Sequence, residues 1–261
     1  MTTRSFLTRP VCSSGQGQLR LFVLLLCLSL TGCATGPNAN PADPLEPFNR
    51  SMYKFNDTVD QAVLKPVATA YRDVTPDLVR RGVGNFFANL QDAWSFVNNV
   101  FQLKGEAAAS SFMRFSVNTV FGLGGVLDWA SEMKMQRYTE DFGQTLGYWG
   151  VGAGPYIVLP LLGPSTLRDT VALPVDFKGD AVSQMDNVPV RNTLLVTRVV
   201  DKRAELLKAE SVLEEAALDK YSFIRDAFMQ RRRNAVYDGN PPEEELEAPE
   251  EDAAPQDAAP K

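Results

Sequence analysis

Between Cys33 and Tyr237 no apolar run reaches the roughly 18 residues that an ordinary membrane-spanning helix needs, although short apolar segments are frequent. Phe112-Met113-Arg114-Phe115-Ser116-Val117-Asn118-Thr119-Val120-Phe121 runs into Gly122-Leu123-Gly124-Gly125, and then into Val126-Leu127-Asp128-Trp129. Pieces of that length form core helices, re-entrant segments, or helices lying in an interface plane. Any association with a membrane must therefore come from something other than a bundle of spanning helices.

The N-terminus supplies one such means. Arg4, Arg9 and Arg20 precede an apolar run from Leu21 to Leu30, which ends in Leu30-Thr31-Gly32-Cys33. A basic segment, a short apolar segment and small residues before a thiol have the form of a bacterial lipoprotein signal, with residues 1–32 removed and Cys33 acylated. Each buried methylene contributes about 0.8 kcal/mol, so several acyl chains hold a protein at a membrane essentially permanently. Position 34 is alanine rather than aspartate, which in enterobacterium-like sorting implies the outer membrane. Residues 33–42 then read as a linker.

Composition narrows the chemistry. Cys12 and Cys27 leave with the signal, so Cys33 is the one cysteine of the mature chain, and histidine is absent. A disulfide, a free thiolate nucleophile and the commonest zinc ligands are thereby removed, together with the usual general base. No serine sits in G-x-S-x-G. The reading is a protein that is not an enzyme and carries neither metal nor cofactor. From Asp238 onward nine acidic residues face Lys261 alone, among Pro, Ala and Gln, so residues 238–261 read as a disordered acidic tail. The body from 43 to 237 is nearly neutral and has no basic patch suited to nucleic acid.

That body is long enough for one core, and its pattern is helical almost throughout. Thr75-Pro76-Asp77 resembles a helix start, with threonine as the cap. From Asn85 to Gln102, Phe87, Leu90, Trp94, Val97 and Phe101 recur at spacings of three and four. The opposite stripe is Asn85, Asn89, Asp92, Ser95, Asn99 and Gln102, in which only Asp92 carries a charge. Two expectations follow for this stripe: a polar surface face, or one wall of a polar lumen with the aromatic side against lipid or core. The charged stretch from about Val190 to Arg233 reads as water-facing helix. It closes on Arg231-Arg232-Arg233, which suit either a helix C-terminus or anionic headgroups. No internal repeat is evident.

Gly150-Val151-Gly152-Ala153-Gly154 raises the question of a phosphate loop. A dinucleotide fingerprint needs a strand before the glycines, a helix opening after them, and a last glycine spaced two residues further on. Here Pro155 follows Gly154 at once, and Pro160 interrupts the next apolar run.

Several longer segments carry a family resemblance. Asp43-Pro44-Leu45-Glu46-Pro47-Phe48-Asn49-Arg50 is followed by Met52-Tyr53-Lys54-Phe55-Asn56. Then come Arg114-Phe115 with Asn118-Thr119, and Gly122-Leu123-Gly124-Gly125-Val126-Leu127-Asp128. Phe142-Gly143-Gln144-Thr145-Leu146-Gly147 leads through Gly150 to Tyr156, Leu159-Pro160 and Ser165-Thr166-Leu167-Arg168-Asp169. In this order they resemble the MlaA/VacJ family of outer-membrane phospholipid-transport lipoproteins.

The resemblance implies an all-α fold, with amphipathic helices in a ring or disc around a central amphipathic channel on the periplasmic side of the outer membrane. It implies removal of phospholipid from the outer leaflet beside a trimeric porin, and transfer to a periplasmic lipid carrier. It also implies that Gly150, Gly152 and Gly154 belong to a flexible, hairpin-like turn near the channel. Phe55 and Asn56 match a segment that keeps lipid from leaking outward, with Asp57 departing from the more apolar residue expected there. Asn85, Asn89, Asp92 and Asn99 are our candidates for the polar wall. The competing reading is a structural, porin-associated lipoprotein that moves no lipid; a lipid hydrolase is a third.

Overall fold

The computed structural model describes residues 40, 43–216 and 218–242. The expected signal segment, Cys33, most of the expected linker and, after residue 242, the expected acidic tail lie outside them. The described chain is mostly helical: α1 (Glu46–Val59), α2 (Lys65–Val74), α3 (Asp77–Phe101), α4 (Gly105–Val120), α5 (Trp129–Glu132), α6 (Phe142–Tyr148), α7 (Leu167–Gly179), α8 (Val188–Ala216) and α9 (Lys220–Val236). A π-helical turn, Asp60–Leu64, joins α1 to α2. No described helix is long and apolar enough to cross a membrane. An antiparallel hairpin, β1 (Tyr156–Leu159) with β2 (Gly163–Thr166), departs from the wholly helical expectation.

Local chemistry starts the shorter elements. The side chains of Asp128, Asp141 and Thr166 accept from the backbone amides of Ser131, Gln144 and Asp169, capping α5, α6 and α7. α3 begins one residue later than expected: Pro76 is its N-cap, and Thr75 closes α2 in an extended conformation without capping anything. The proline holds the backbone of Thr75 in the extended region, which ends α2 at Val74.

The central contact pairs α3 with α4 through polar faces. Asn89, Asp92, Ser95, Asn98 and Asn99 of α3 are buried, as are Ser111, Arg114 and Asn118 of α4. Arg114 is 1% exposed. Its Nε donates to Asp92 at 3.3 Å, its Nη1 to Met135 O at 2.6 Å, and its Nη2 to Asp128 at 3.0 Å. Asn118 joins the cluster, donating to Asp128 at 2.9 Å and accepting from the Ala130 amide at 2.9 Å. The family-like run from Arg114 to Asp128 is thus a single hydrogen-bonded unit. Large apolar side chains lie elsewhere: Phe101, Val120, Phe121, Leu123 and Leu161 are all exposed.

Two small apolar clusters tie the ends of the chain to this centre. Ala68 of α2 packs with Val200 and Ala204 of α8, and the Tyr71 hydroxyl donates to Asp201 at 2.9 Å. Tyr156 and Val158 of β1 pack with Tyr221 of α9 against Met52, Tyr53, Phe228 and Met229. α1 also holds β1 through two asparagines spaced two helical turns apart. Asn49 donates to Tyr156 O at 3.0 Å and accepts from the Val158 amide at 2.8 Å. Asn56 donates to Leu159 O at 2.9 Å and accepts from the Leu161 amide at 2.8 Å. A carboxamide presents the same donor and acceptor as a peptide group, so these side chains act as a third strand for the hairpin.

Replacing Asn49 with Leu leaves Tyr156 O, the Val158 amide and Asp43 without their partner, and should destabilise the fold by about 2–4 kcal/mol in denaturant unfolding. Arg114→Met should remove about 3–5 kcal/mol, because buried carboxylates then lose their cation. The same measurement on Arg114→Met combined with Asp92→Asn and Asp128→Asn should recover a substantial part of that loss.

Candidate functional site

Two cavities lie on different parts of this frame. The first, of about 770 Å³, is almost wholly apolar; its wall includes Leu78, Val83, Phe86 and Phe87 of α3, Leu127 and Trp129, and Leu194 of α8. Arg198 stacks over the Phe87 ring at 5.9 Å and makes paired hydrogen bonds to Asp180 at 2.8 and 3.0 Å. The second cavity, of about 700 Å³, has a mixed wall, more polar than that of the first, and lies between the glycine segment and α9, with Gly150, Gly152, Ala153, Arg168, Arg232 and Tyr237 on it.

The expected polar wall on α3 is divided by the structure. Asn85 reaches the apolar cavity and donates to Val126 O at 3.1 Å. Asn89, Asp92 and Asn99 face neither solvent nor an open lumen; they are fully buried against α4 and the segment after it. Asn89 donates to Thr119 at 3.0 Å, and Asn99 to Ser95 O at 2.9 Å. Asp92 accepts from Arg114 and from Arg137, at 3.3 and 3.2 Å. For Asn89, Asp92 and Asn99 both expectations are therefore corrected: these three are protein interior, whereas Asn85 stays at a cavity wall. Helical periodicity marks a polar face without saying what the face meets, and when the outside is apolar the polar face turns inward.

The opposite side of α3 follows the same logic. Val100 and Phe101 are exposed, Phe96 packs on Phe112 at 5.4 Å, and Phe86 and Phe87 wall the apolar cavity. Trp94 lies against Gly179 and donates to Asp176 at 2.8 Å.

The glycine segment is a lead-in to the hairpin rather than its turn, which is formed at Pro160, Leu161 and Leu162. Its course is fixed by the Val151 amide donating to Leu146 O, and by the Arg168 and Leu167 amides donating to Ala153 O and Pro155 O. Gly150 and Gly154 adopt φ of +88° and +67°, where a Cβ is strained. Gly152 does not share that conformation, and a Cβ added there would meet no atom within 4 Å. Sequence reasoning treated the three glycines alike because the backbone angle of each is set by the neighbouring elements. Phe55 is exposed, while Asn56 is bound to the hairpin as described above.

Of the three arginines expected to close the last helix, Arg233 lies in the last turn of α9, while Arg232 departs from the expectation. Neither a helix-terminal cation nor a headgroup contact, it donates to Asp141 at 2.6 Å and to Asp169 at 2.7 Å. Burial alone would raise the Asp141 pKa, but the Arg232 hydrogen bonds and charge prevail and hold that carboxyl below its ordinary range. This bridge joins α9 to the starts of α6 and α7. Sequence reasoning missed it, because Arg232 lies 91 residues from Asp141.

The spacing Ser-x-x-Lys occurs at Ser51 with Lys54 and at Ser131 with Lys134. Ser51 Oγ donates to Pro47 O, and Ser131 Oγ to Asp128, so neither hydroxyl is aimed at its lysine. No group of His, Cys, Asp or Glu among the described residues is placed to hold a metal ion.

Comparison with known proteins follows the same motifs. A family model described as MlaA lipoprotein matches residues 41–235. The chain is 38% identical over 222 residues to the intermembrane phospholipid transport system lipoprotein MlaA of Escherichia coli K12, covering 82% of this chain and 87% of that one. It is 36% identical over 227 residues to the protein of the same name from Haemophilus influenzae, covering 84% and 90%. A solved structure, from work on the structural basis for maintenance of bacterial outer membrane lipid asymmetry, superposes with a TM-score of 0.66 at 36% identity, covering 74% of this chain and 98% of that one. With the family model spanning most of its length and relatives at 36–38% identity over more than four-fifths of it, the chain belongs to the MlaA lipoprotein family.

Proposed function

We propose that this protein is a phospholipid conduit of the bacterial outer membrane, anchored through acylated Cys33 and facing the periplasm. It takes misplaced phospholipid from the outer leaflet and passes it to a soluble periplasmic lipid carrier, with a trimeric porin beside it. Its helices enclose an amphipathic channel in a ring or disc. The observation that carries this reading is the inverted burial. The largest fully enclosed side chains include Arg114, Gln102, Asn49, Asn89, Asn98 and Asn99, whereas Phe101, Val120, Phe121 and Leu123 are outside. Such a distribution suits a hydrocarbon surrounding, in which every polar group must find its partner internally.

Other features agree. Leu103, Leu123 and Leu161 take positive φ of 59°, 53° and 61° at turns where glycine or asparagine is less strained, and each exposes at least 70% of its surface. They present apolar side chains outward at turns that a water-soluble protein would make polar. The apolar cavity has the chemistry of an acyl-chain site, with Asn85 as the amide of the proposed channel wall that reaches it. The names of the relatives, which speak of intermembrane phospholipid transport, point the same way.

The competing reading is a porin brace. It separates from the conduit when Cys33→Ser protein, which lacks the acyl anchor, is purified and its bound lipid quantified by mass spectrometry. The conduit requires co-purifying phospholipid; a brace requires none. In cells the same variant should be mislocalised.

The glycine segment carries the proposed hinge. Gly150→Val should raise surface-exposed phospholipid while acylation and export stay normal, because a β-branched residue in the left-handed region is strained by about 1–2 kcal/mol. Gly152→Val should have the smaller effect. A larger defect at Gly152 than at Gly150 would sink the hinge.

A further inference from the structure

The second cavity holds more anion-binding groups than a hinge requires. Arg168, 7% exposed, is on its wall, and its Nε and Nη2 both lie 2.9 Å from the same Asp169 oxygen. Nη1 also donates to Val151 O, at 3.5 Å. A guanidinium has five N–H donors in a planar fork, so one N–H on each terminal nitrogen remains available to a ligand.

The glycine segment supplies a second, independent set of donors. The Gly152, Ala153 and Gly154 amides have no acceptor among the described residues. Gly152 and Ala153 are on the cavity wall, and glycines at positive φ bracket the run at positions 150 and 154. Successive free amides in a concave loop form an anion-binding nest. Gly147 completes the arrangement, since a Cβ there would stand 2.6 Å from Arg168 Nη1 and 2.9 Å from Val236 Cγ1. The glycine is what allows the guanidinium its place.

Resting on the conduit reading, we propose that this cavity holds the phosphate of a phospholipid headgroup in transit, between the Arg168 guanidinium and the Gly152 and Ala153 amides. The local charge balance suits transit. Arg232 is neutralised by Asp141 and Asp169, and Asp226 on the wall accepts from Arg225 at 2.8 Å. Arg233, also on the wall, donates to Pro242 O, so the phosphate is held through directed hydrogen bonds within a wall whose other cations already have partners. A conduit needs stations that ligands can both enter and leave.

The test uses the purified full-length acylated protein in detergent and three probes: dihexanoyl-phosphatidylglycerol, dihexanoylglycerol and inorganic phosphate, each titrated by calorimetry. Arg168→Gln and Ala153→Pro remove donors from the two sides of the site separately, and Arg168→Lys keeps the charge without the fork. Wild type should bind the phospholipid tighter than the neutral diacylglycerol. Arg168→Gln should weaken phospholipid binding roughly 10- to 100-fold, the range for a hydrogen bond to a charged group, and leave diacylglycerol binding unchanged. Ala153→Pro should narrow the same gap, and Arg168→Lys should restore it in part.

Unchanged diacylglycerol binding shows that the acyl site still folds. The proposal is overturned if both donor variants bind phospholipid as wild type does, or if they weaken both lipids equally. It is also overturned if inorganic phosphate binds as tightly as the phospholipid and is lost in the same variants, since the site then reads free phosphate. If wild type binds neither lipid, the conduit reading fails and this site with it. If wild type binds lipid and the variants alter nothing, this site alone fails.

Discussion

Arg114 cannot be left in the interior of this protein unpaired, and the α3–α4 unit is arranged around pairing it. Its guanidinium is met by Asp92 from α3, Asp128 from the loop after α4, and the Met135 carbonyl beyond α5. Asn118 shares Asp128 and caps the same loop by accepting from the Ala130 amide. An unpaired buried charge is strongly destabilising, and such pairs strengthen as water is excluded, so this polar centre gains most where the outside is also dry. The inverted surface and the polar core are thus one physical choice made twice.

From that centre the structure extends by polar clamps rather than by a large apolar core. Asn49 and Asn56 on α1 hold β1 along its free edge. Arg232 on α9 draws together the caps of α6 and α7 through Asp141 and Asp169. Arg203 on α8 grips Asp60 in the π-helical turn with paired bonds of 2.8 and 2.7 Å. Each clamp joins segments remote in sequence. Beside the Arg232 clamp, around Gly147, Arg168 and Val236, the glycine segment is left with free amides next to the second cavity. The glycines there serve close approach at position 147 and backbone direction at 150 and 154.

The sequence opened on whether those glycines were a phosphate loop. They are not a nucleotide fingerprint, because no helix opens on them and Pro155 stops the pattern. The shared chemistry of free amides and a guanidinium nevertheless returns phosphate to the same place, now as part of a lipid.

What the sequence alone determined is what local periodicity and covalent chemistry decide. The long α3 helix was legible from apolar residues three and four apart, and the missing spanning helix from the shortness of every apolar run. The lack of histidine and of a second mature cysteine limited the catalytic chemistry, and the ordered motifs pointed to the family. Tertiary structure alone decided which way the polar stripe of α3 faces, because an amphipathic helix has the same pattern whether water lies on its polar side or lipid on its apolar side. It alone paired Arg232 with carboxylates far along the chain, and set Gly150 in a left-handed conformation while sparing Gly152. It also left the Gly152 to Gly154 amides unpaired beside Arg168. These outcomes depend on contacts between distant segments, which no local pattern encodes.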